Sequence, residues 1–248
     1  MGRMTSPTAA STPLMPDLWH HYGRARSGSD RSVPDRIHFT WDQRGGPGAE
    51  TLGELSGRQV ADLGAGSARQ SAHLAAHHCP ARIDAIDASP AQHAMALGLY
   101  AHLAPRLRLV NADATEHLLG HPGHYDVLYS LFGAVDFTDP RHLLPAAARA
   151  LRPGGLLVIA TLHHYVDGRA AEADPVHADI PAKAPDGTSA TMRRWVLQEQ
   201  VWTGLLGRAG LTTTSAAVLP AAPVGTRSAA TLLLHAHRSA DQRGLRQR

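Results

Sequence analysis

The chain has 248 residues, 43% of them hydrophobic and 18% charged, which is too apolar for a disordered protein, and no apolar run approaches the ~20 residues of a membrane span. The net charge is +3, but the excess arginines lie near the two ends of the chain, so we expect no nucleic-acid partner. The single cysteine excludes an internal disulfide and the 17 histidines are scattered along the chain, which predicts a cytoplasmic protein without a metal site.

The front of the chain differs in composition from the rest. Residues 1–16 are rich in Ser, Thr, Ala and Pro and lack the apolar stretch of a secretory signal. We therefore expect them to be disordered and the protein not to be exported. Residues 17–48 carry four aromatic side chains among charged residues, which favours one or two short helices packed as a lid over a binding site.

Between residues 58 and 151, short apolar runs alternate with stretches whose apolar residues have helical spacing. The predicted strands are 59–63, 81–86, 106–110, 125–129 and 156–160, and the predicted helices are 67–78, one that begins at Pro90 after the N-cap Ser89, and 141–151. This alternation predicts a doubly wound α/β fold. We expect a mostly parallel, seven-stranded Rossmann-like sheet with helices on both faces, a short N-terminal helical lid, and ligands at the carboxyl ends of the strands.

The last third of the chain has a different pattern. Residues 163–190 are polar and contain three prolines, which predicts a long functional loop. The elements predicted after it are a helix from about residue 192 to 208 and two closing strands at 212–218 and 229–235. We expect residues 49–238 to form one domain and residues 239–248 to be disordered.

A glycine-rich turn follows the first predicted strand. Asp62 closes that strand, and Gly64 and Gly66 let the backbone turn sharply and approach a ligand closely. Asp87 closes the second strand about 20 residues later, where a carboxylate can hold both hydroxyls of a ribose. The pattern predicts a cofactor that contains a nucleoside.

Two classes of cofactor share this geometry. A dinucleotide site needs a third glycine where this chain has Arg69, and an arginine would obstruct close packing at the pyrophosphate. Asp62 would repel a pyrophosphate but attract the α-ammonium group of an amino acid. The residues therefore favour a nucleoside joined to an amino acid over NAD.

Four motifs together resemble the class I S-adenosylmethionine-dependent methyltransferases, over about residues 40–237. They are Asp62-Leu-Gly-Ala-Gly, Ile86-Asp-Ala-Ser, Asn111-Ala-Asp-Ala and Leu151-Arg-Pro-Gly-Gly-Leu. The chain departs from the first motif at Ala68, where the family often has a third glycine, although small residues are common there. The resemblance implies S-adenosyl-L-methionine as the cofactor.

The resemblance also implies a role for each motif. Asp62 and the glycine turn would hold the methionine moiety, Asp87 the ribose and Asp113 the adenine amino group, and residues 130–132 would form the floor of the methyl-transfer centre. The implied cofactor-binding residues are Asp62, Gly64, Ala65, Gly66, Asp87, Ala88, Asn111, Ala112, Asp113, Ala114, Ser130 and Leu131. Each acid also has a structural interpretation, in which Asp62 or Asp113 caps a helix and Asp87 forms a salt bridge.

The acceptor side carries weaker signals. The run after the fourth strand lacks the Asn/Asp-Pro-Pro-Tyr/Phe signature of nucleic-acid and protein amine methylation, which favours a small-molecule acceptor. A general base is predicted at His163 or His164 beyond the fifth strand, although both also fit exposed loop residues. The predicted substrate-binding residues are Tyr22, Trp41, Phe132, Asp136 and Trp195. Asp136 is interpreted either as a base or as an exposed loop acid.

The sequence therefore predicts a methyltransferase that acts on a small molecule by in-line displacement, as a monomer or homodimer. Its overall character is similar to that of the small-molecule methyltransferases of bacterial secondary metabolism. Because no base is certain, an alternative is a protein of the same fold that binds S-adenosylmethionine but catalyses a non-methylating reaction such as cyclisation, or only binds. A nucleic-acid methyltransferase is the third interpretation.

Overall fold

The structure, a computed structural model, describes residues 16–22, 32–221 and 228–240. In these residues nine strands and six α-helices follow one another along the chain. They are β1 (Gln59–Leu63), α1 (Arg69–His77), β2 (Arg82–Asp87), α2 (Pro90–Tyr100), β3 (Leu107–Asn111), α3 (Ala114–Leu119), β4 (Tyr125–Leu131), α4 (Ala134–Phe137), α5 (Pro140–Ala150), β5 (Leu151–Leu162), β6 (Ala178–Lys183), β7 (Ser189–Arg194), α6 (Glu199–Arg208), β8 (Leu211–Leu219) and β9 (Thr231–Arg238).

Seven strands form one sheet in the order β3-β2-β1-β4-β5-β9-β8. The five strands from β3 to β5 are parallel, and β9 is antiparallel to both β5 and β8. In the centre, Val60 pairs with Ile83 on one side and with Val127 on the other. The predicted seven-stranded, mostly parallel sheet is confirmed; β8 contains the predicted strand 212–218, and β9 overlaps the predicted strand 229–235 from Thr231 onward.

Buried apolar side chains cover both faces of the sheet. One face packs against α5 and α6, where Trp202 and Leu143 are fully buried. The other packs against α1, α2 and the segment before β1, with Phe39 and Leu74 fully buried. Burial of a large side chain of this kind stabilises a fold by about 1.5–3 kcal/mol. The two cores hold the central strands rigidly, so their carboxyl ends form a fixed edge.

The predicted helix over residues 192–208 is wrong in its first half. Residues 189–194 instead form β7, which pairs with β6 in a separate two-stranded sheet. The turn between them is Pro185-Asp186-Gly187, with Gly187 at φ +86°, a combination typical of a tight turn. The segment predicted to be a loop followed by the start of a helix therefore forms a hairpin separate from the main sheet, and α6 begins only at Glu199.

The front segment contains turns rather than the expected helices wherever the structure describes it. Residues 18–22 form a turn closed by backbone hydrogen bonds from His20 to Asp17 and from Tyr22 to Trp19. The carbonyls of Trp19 and Tyr22 accept hydrogen bonds from the side chain of Gln92, so the turn is bonded to α2. Residues 1–16 and 239–248 are predicted to be disordered. Of these, residues 1–15 and 241–248 lie outside the described residues. None of the described helices has the length and apolar character needed to cross a membrane.

Candidate cofactor and acceptor site

The glycine turn after β1 is held by its neighbours on both sides. The backbone amides of Gly64 and Ala65 donate to the carbonyl of Ile86 at 2.9 and 3.0 Å. Gly64 has a φ of +81°, and a Cβ there would lie 2.7 Å from the carbonyl carbon of Gly133 and closer still to the amide nitrogen of Ala134. Gly64 is therefore required by the close packing of two backbones, and Gly66 by its φ of +56°.

Asp87, at the carboxyl end of β2, organises this edge of the sheet. Its Oδ2 accepts a hydrogen bond from the amide of Gly66 at 2.7 Å, and its Oδ1 accepts one from the amide of Ser89 at 2.9 Å. Burial raises the pKa of Asp87, the two backbone hydrogen bonds lower it, and nearby Asp17 raises it. Because a carboxylate oxygen accepts more than one hydrogen bond, both oxygens retain capacity for a diol.

The residues that end β3 are hydrogen-bonded to Asp87 as well. Both the side chain of Asn111 and the amide of Ala112 donate to the carbonyl oxygen of Asp87, at 2.9 and 3.1 Å. Asp113 caps α3 through its Oδ1, which accepts from the amide of Glu116 at 3.0 Å. Ala88 is exposed beside them and Ala114 is buried. The structure thus brings the predicted ribose and adenine residues together, and the adenine role of Asp113 stays a prediction.

Asp62 lies behind the glycine turn rather than in an open cleft. Its side chain is buried, and its Oδ2 accepts hydrogen bonds from the hydroxyls of Ser71 and Tyr129 at 2.7 and 2.8 Å. Burial raises its pKa to about 7, against the lowering effect of those two hydroxyls. A cation placed beside it would favour the ionised form, so contact with an α-ammonium group stays a prediction.

The raised pKa of Asp62 predicts a pH effect on stability. Between about pH 4 and 7 the folded protein keeps a proton that the unfolded chain has lost, so the free energy of unfolding falls with rising pH, by up to about 4 kcal/mol from this group. Asp62→Asn removes the charge and keeps the shape, so its stability relative to wild type should rise over that interval. Denaturant unfolding at several pH values measures this, and parallel curves for the two proteins would contradict it.

Residues 130–132 link the end of β4 to the glycine turn. The fully buried Ser130 donates to the carbonyl of Leu63 at 2.9 Å and accepts from the amide of Val135 at 3.2 Å. Leu131 and Phe132 are half-buried, and Phe132 has a φ of +52°. Its ring lies edge-on to Trp41, with the ring centroids 5.1 Å apart. Ser130 therefore shapes the turn from within, and Phe132 borders the space beyond it.

The segment of residues 16–22 packs against the start of α2 and against α4. Asp17 accepts hydrogen bonds from the hydroxyl of Ser89 at 2.8 Å and from the amide of Ala91 at 3.1 Å. The ring of Trp19 lies edge-on to Phe137, with the centroids 4.5 Å apart. Asp17 is thus anchored next to Asp87, the ring of Trp19 rests on α4, and the carbonyl of Tyr22 is bonded to Gln92 of α2. Tyr22 is 55% exposed, and its contact with the acceptor stays a prediction.

Beyond the end of β4, an ion pair lies beneath aromatic rings. Asp136 is fully buried, and its Oδ2 accepts a hydrogen bond from Nη2 of Arg194 at 2.7 Å. The guanidinium of Arg194 lies 5.0 Å from the ring centroid of Trp41 and 5.1 Å from that of Phe137. The interpretation of Asp136 as an exposed loop acid is wrong, because α4 and β7 enclose it.

Trp195, the next residue along, does not join this group. Its side chain is buried in the core on the α5 and α6 face, since successive side chains of an extended chain point in opposite directions. The sequence predicts Trp195 as a substrate-binding residue, whereas the structure places the side chain of its neighbour Arg194 beside that of Asp136. The alternation of polar and apolar residues in Ser189-Ala-Thr-Met-Arg has the period of a strand and is the signal that would have identified it.

The two histidines predicted as bases lie after β5, and neither contacts the glycine turn or the ion pair. His163 is exposed. Nδ1 of His164 donates to the carbonyl of Tyr165 at 2.9 Å, and its Nε2 accepts from the amide of Ala230 at 3.3 Å. With both ring nitrogens bonded to backbone, His164 has no nitrogen free to take a proton, so its catalytic role has no support in this geometry.

Residues 60–155 match the model of a family described as a methyltransferase domain. Trans-aconitate 2-methyltransferase of Deinococcus radiodurans is 33% identical to the chain over 129 residues, which are 51% of this chain and 47% of that protein. The chain spans about half the length of the curated relatives it matches.

Solved structures extend the likeness to the whole fold. The chain is similar to a [4+2]-cyclase with a TM-score of 0.64 and 13% identity, over 96% of this chain and 100% of that one. It is also similar to an S-adenosylmethionine-dependent methyltransferase from Mesorhizobium loti, with a TM-score of 0.56 and 18% identity, over 75% and 94% of the two chains. The chain therefore has the fold of the class I S-adenosylmethionine-dependent methyltransferases, and residues 60–155 match a methyltransferase domain. This confirms the resemblance seen in the motifs.

Proposed function

We propose that the protein is an S-adenosylmethionine-dependent methyltransferase that acts on a small molecule. The observation that carries the proposal is the position of Asp87, which holds the amide of Gly66 at the end of β2 within a methyltransferase domain. An acid that fixes the glycine turn and still has lone pairs for a diol fits the ribose of this cofactor. The domain match and the fold support the same cofactor.

The chain's own residues fit the parts of the cofactor in order along the sheet edge. Asp87 would bind the ribose hydroxyls, residues 111–113 would border the adenine, and the turn at residues 64–66 would receive the methionine moiety. When bound, the cofactor supplies a methyl group on a positively charged sulfur. The protein's part is to align the acceptor with that methyl group, exclude water and, for a hydroxyl acceptor, remove a proton.

The acceptor would lie on the other side of the glycine turn, over α4. There Trp41 packs edge-on against Phe132, and Trp19 against Phe137. Such aromatic side chains suit contact with a compact organic molecule. The name of the relative that acts on trans-aconitate also supports a small-molecule acceptor. We further propose a secondary metabolite as the acceptor and a cytoplasmic location.

Binding measurements test the cofactor. Titration calorimetry should show saturable binding of S-adenosylmethionine and S-adenosylhomocysteine and no heat with NAD, because Arg69 stands where a dinucleotide turn needs glycine. Asp174→Ala, which removes an exposed acid, should bind like wild type. Binding of NAD alone would overturn the proposal. Incubation of acceptors with methyl-labelled cofactor then separates methyl transfer from the alternative, a protein of this fold that converts its substrate without transferring label.

A further inference from the structure

A small cavity lies between the loop of residues 34–43 and the first turn of α1. Its volume is about 170 Å³, which is room for a group of several heavy atoms, since the share of one molecule in liquid water is about 30 Å³. None of the described residues that line it is acidic. The polar side chains that line it are two arginines, a histidine and two glutamines: Arg36, Arg69, His38, Gln43 and Gln70. The cavity therefore presents positive charge and hydrogen-bond donors.

The two arginines of this cavity are not neutralised by the protein. Among the residues that the structure describes, neither Arg36 nor Arg69 has an acidic or hydrogen-bonded side-chain partner, whereas Arg108 lies 2.9 Å from the carboxylate of Asp84. Arg36 is exposed and Arg69 is half-buried, so a dissolved ligand can reach both. A guanidinium presents its N–H groups in a planar fork that matches a carboxylate. Two unpaired forks at one cavity indicate a site for an anion.

The cavity adjoins the glycine turn. Arg69 and Gln70 are the first two residues of α1, which begins three residues after Gly66. The same helix carries Ser71, whose hydroxyl donates to Asp62 at 2.7 Å. Asp62 is the acid predicted to attract an α-ammonium group. An amino acid carries its ammonium and its carboxylate on one carbon atom, so a methionine moiety received by this turn would bring a carboxylate toward the start of α1.

We propose, on the basis of the proposed function, that the cavity binds a carboxylate through Arg36 and Arg69. The position beside the glycine turn favours the α-carboxylate of the cofactor as its source. A carboxylate on the acceptor is the second source, since the loop that lines the cavity also carries Trp41, which packs edge-on against Phe132 beyond β4. In both cases charge-assisted hydrogen bonds from the two arginines would fix the orientation of the ligand.

A carboxylate fits the turn better than a phosphate. The proposed cofactor carries one carboxylate and no phosphate. Arg69 also stands where a dinucleotide turn needs a glycine, so the pyrophosphate of a dinucleotide is excluded from this turn. Guanidinium groups bind phosphate in the same geometry as carboxylate, and the measurements below therefore use a buffer without phosphate.

Two ligands that differ only in the carboxylate test the first source. S-adenosylhomocysteine and its 3-aminopropyl analogue, which lacks only the α-carboxylate, are titrated into the wild-type protein by calorimetry. We expect S-adenosylhomocysteine to bind roughly 10- to 100-fold more tightly, because the analogue cannot accept charge-assisted hydrogen bonds from the arginines. In the double variant Arg36→Gln with Arg69→Gln the two ligands should bind with nearly equal affinity. Each single variant should lie between the double variant and wild type.

Two controls separate recognition of the carboxylate from folding of the site. 5′-Methylthioadenosine has no amino-acid part, so it should bind the double variant and the wild type alike. Arg44→Gln changes an exposed arginine that follows the loop and does not line the cavity, so it should keep the wild-type preference. Weaker binding of 5′-methylthioadenosine to the double variant would show that the arginines support the fold of the site, and the proposal would be wrong.

The second source is tested with S-adenosylhomocysteine already bound. 2-Naphthoate and the uncharged 2-naphthamide are titrated into this complex of the wild type and of the double variant. If the carboxylate belongs to the acceptor, only the wild type prefers naphthoate, and S-adenosylhomocysteine and its analogue bind equally.

The remaining outcomes count against one proposal or the other. If the wild type distinguishes neither pair of ligands, or if its preference survives in the double variant, the cavity does not bind a carboxylate through Arg36 and Arg69. If the wild type does not bind S-adenosylhomocysteine at all, the proposed function itself fails.

Discussion

Gly64→Ala is expected to destabilise the protein by about 3–5 kcal/mol, because the added Cβ enters the backbone of Gly133 and Ala134 and the residue must keep a φ of +81°. For a chain of this size that corresponds to a fall in Tm of roughly 10–15 °C. Thermal unfolding followed by circular dichroism measures it. The same change should weaken binding of S-adenosylhomocysteine in whatever fraction still folds, since the turn that would receive it must move.

Two control variants separate the causes of this loss. Gly57 has a φ of +71° but open space around its Cβ position, so Gly57→Ala should cost only the conformational part, about 1–2 kcal/mol. Gly133 has a negative φ of −107°, but a Cβ there would lie 2.7 Å from the carbonyl oxygen of Gly64. Gly133→Ala should therefore lose stability through the contact alone. If Gly64→Ala is no worse than Gly57→Ala, the packing argument is wrong.

The sheet was predictable because its signal is local. Each of the runs 59–63, 125–129 and 156–160 is apolar enough to be buried on both sides, and they became β1, β4 and β5. The cap at Ser89 followed from residue type alone, and the structure shows its side chain accepting from the amide of Gln92 at 3.1 Å. These elements need no knowledge of distant neighbours.

The hairpin β6–β7 was missed for a different reason. Its turn carries a local signal in Pro185, Asp186 and Gly187, but its strands are polar and pair only with each other. A polar stretch with prolines was therefore interpreted as a loop, and the residues after it as the start of α6. The error concealed Arg194, whose position on a strand decides which way its side chain points.

Much of the candidate site depends on contacts between distant parts of the chain. Asp136 and Arg194 are separated by 58 residues, and Asp17 meets Ser89 across 72. A single sequence shows neither contact. It placed the acids at the ends of their strands correctly, because strand ends are local, but it did not show that Asp62 and Asp136 are buried with their pKa values raised. Residue type and position were predictable, whereas partner and environment were not.

Asp87→Ala is expected to weaken binding of S-adenosylhomocysteine by roughly 30- to 1,000-fold, or about 2–4 kcal/mol. The carboxylate has two functions in the proposed site. It would accept from the ribose hydroxyls, and it already accepts from the amides of Gly66 and Ser89. Removing it loses the direct contacts and also frees the glycine turn from β2. Calorimetric titration of the variant against wild type measures the loss.

Asp87→Asn separates these two functions. The amide side chain keeps one oxygen that can accept, so either the turn at Gly66 or the cap at Ser89 retains its hydrogen bond, while the charge at the ribose is gone. We expect an affinity between those of wild type and Asp87→Ala, together with a higher Tm than that of the alanine variant. Asp174→Ala controls for the change in net charge. Equal affinities for wild type and both Asp87 variants would show that the ribose binds elsewhere, and the assignment of the cofactor to this edge of the sheet would have to be abandoned.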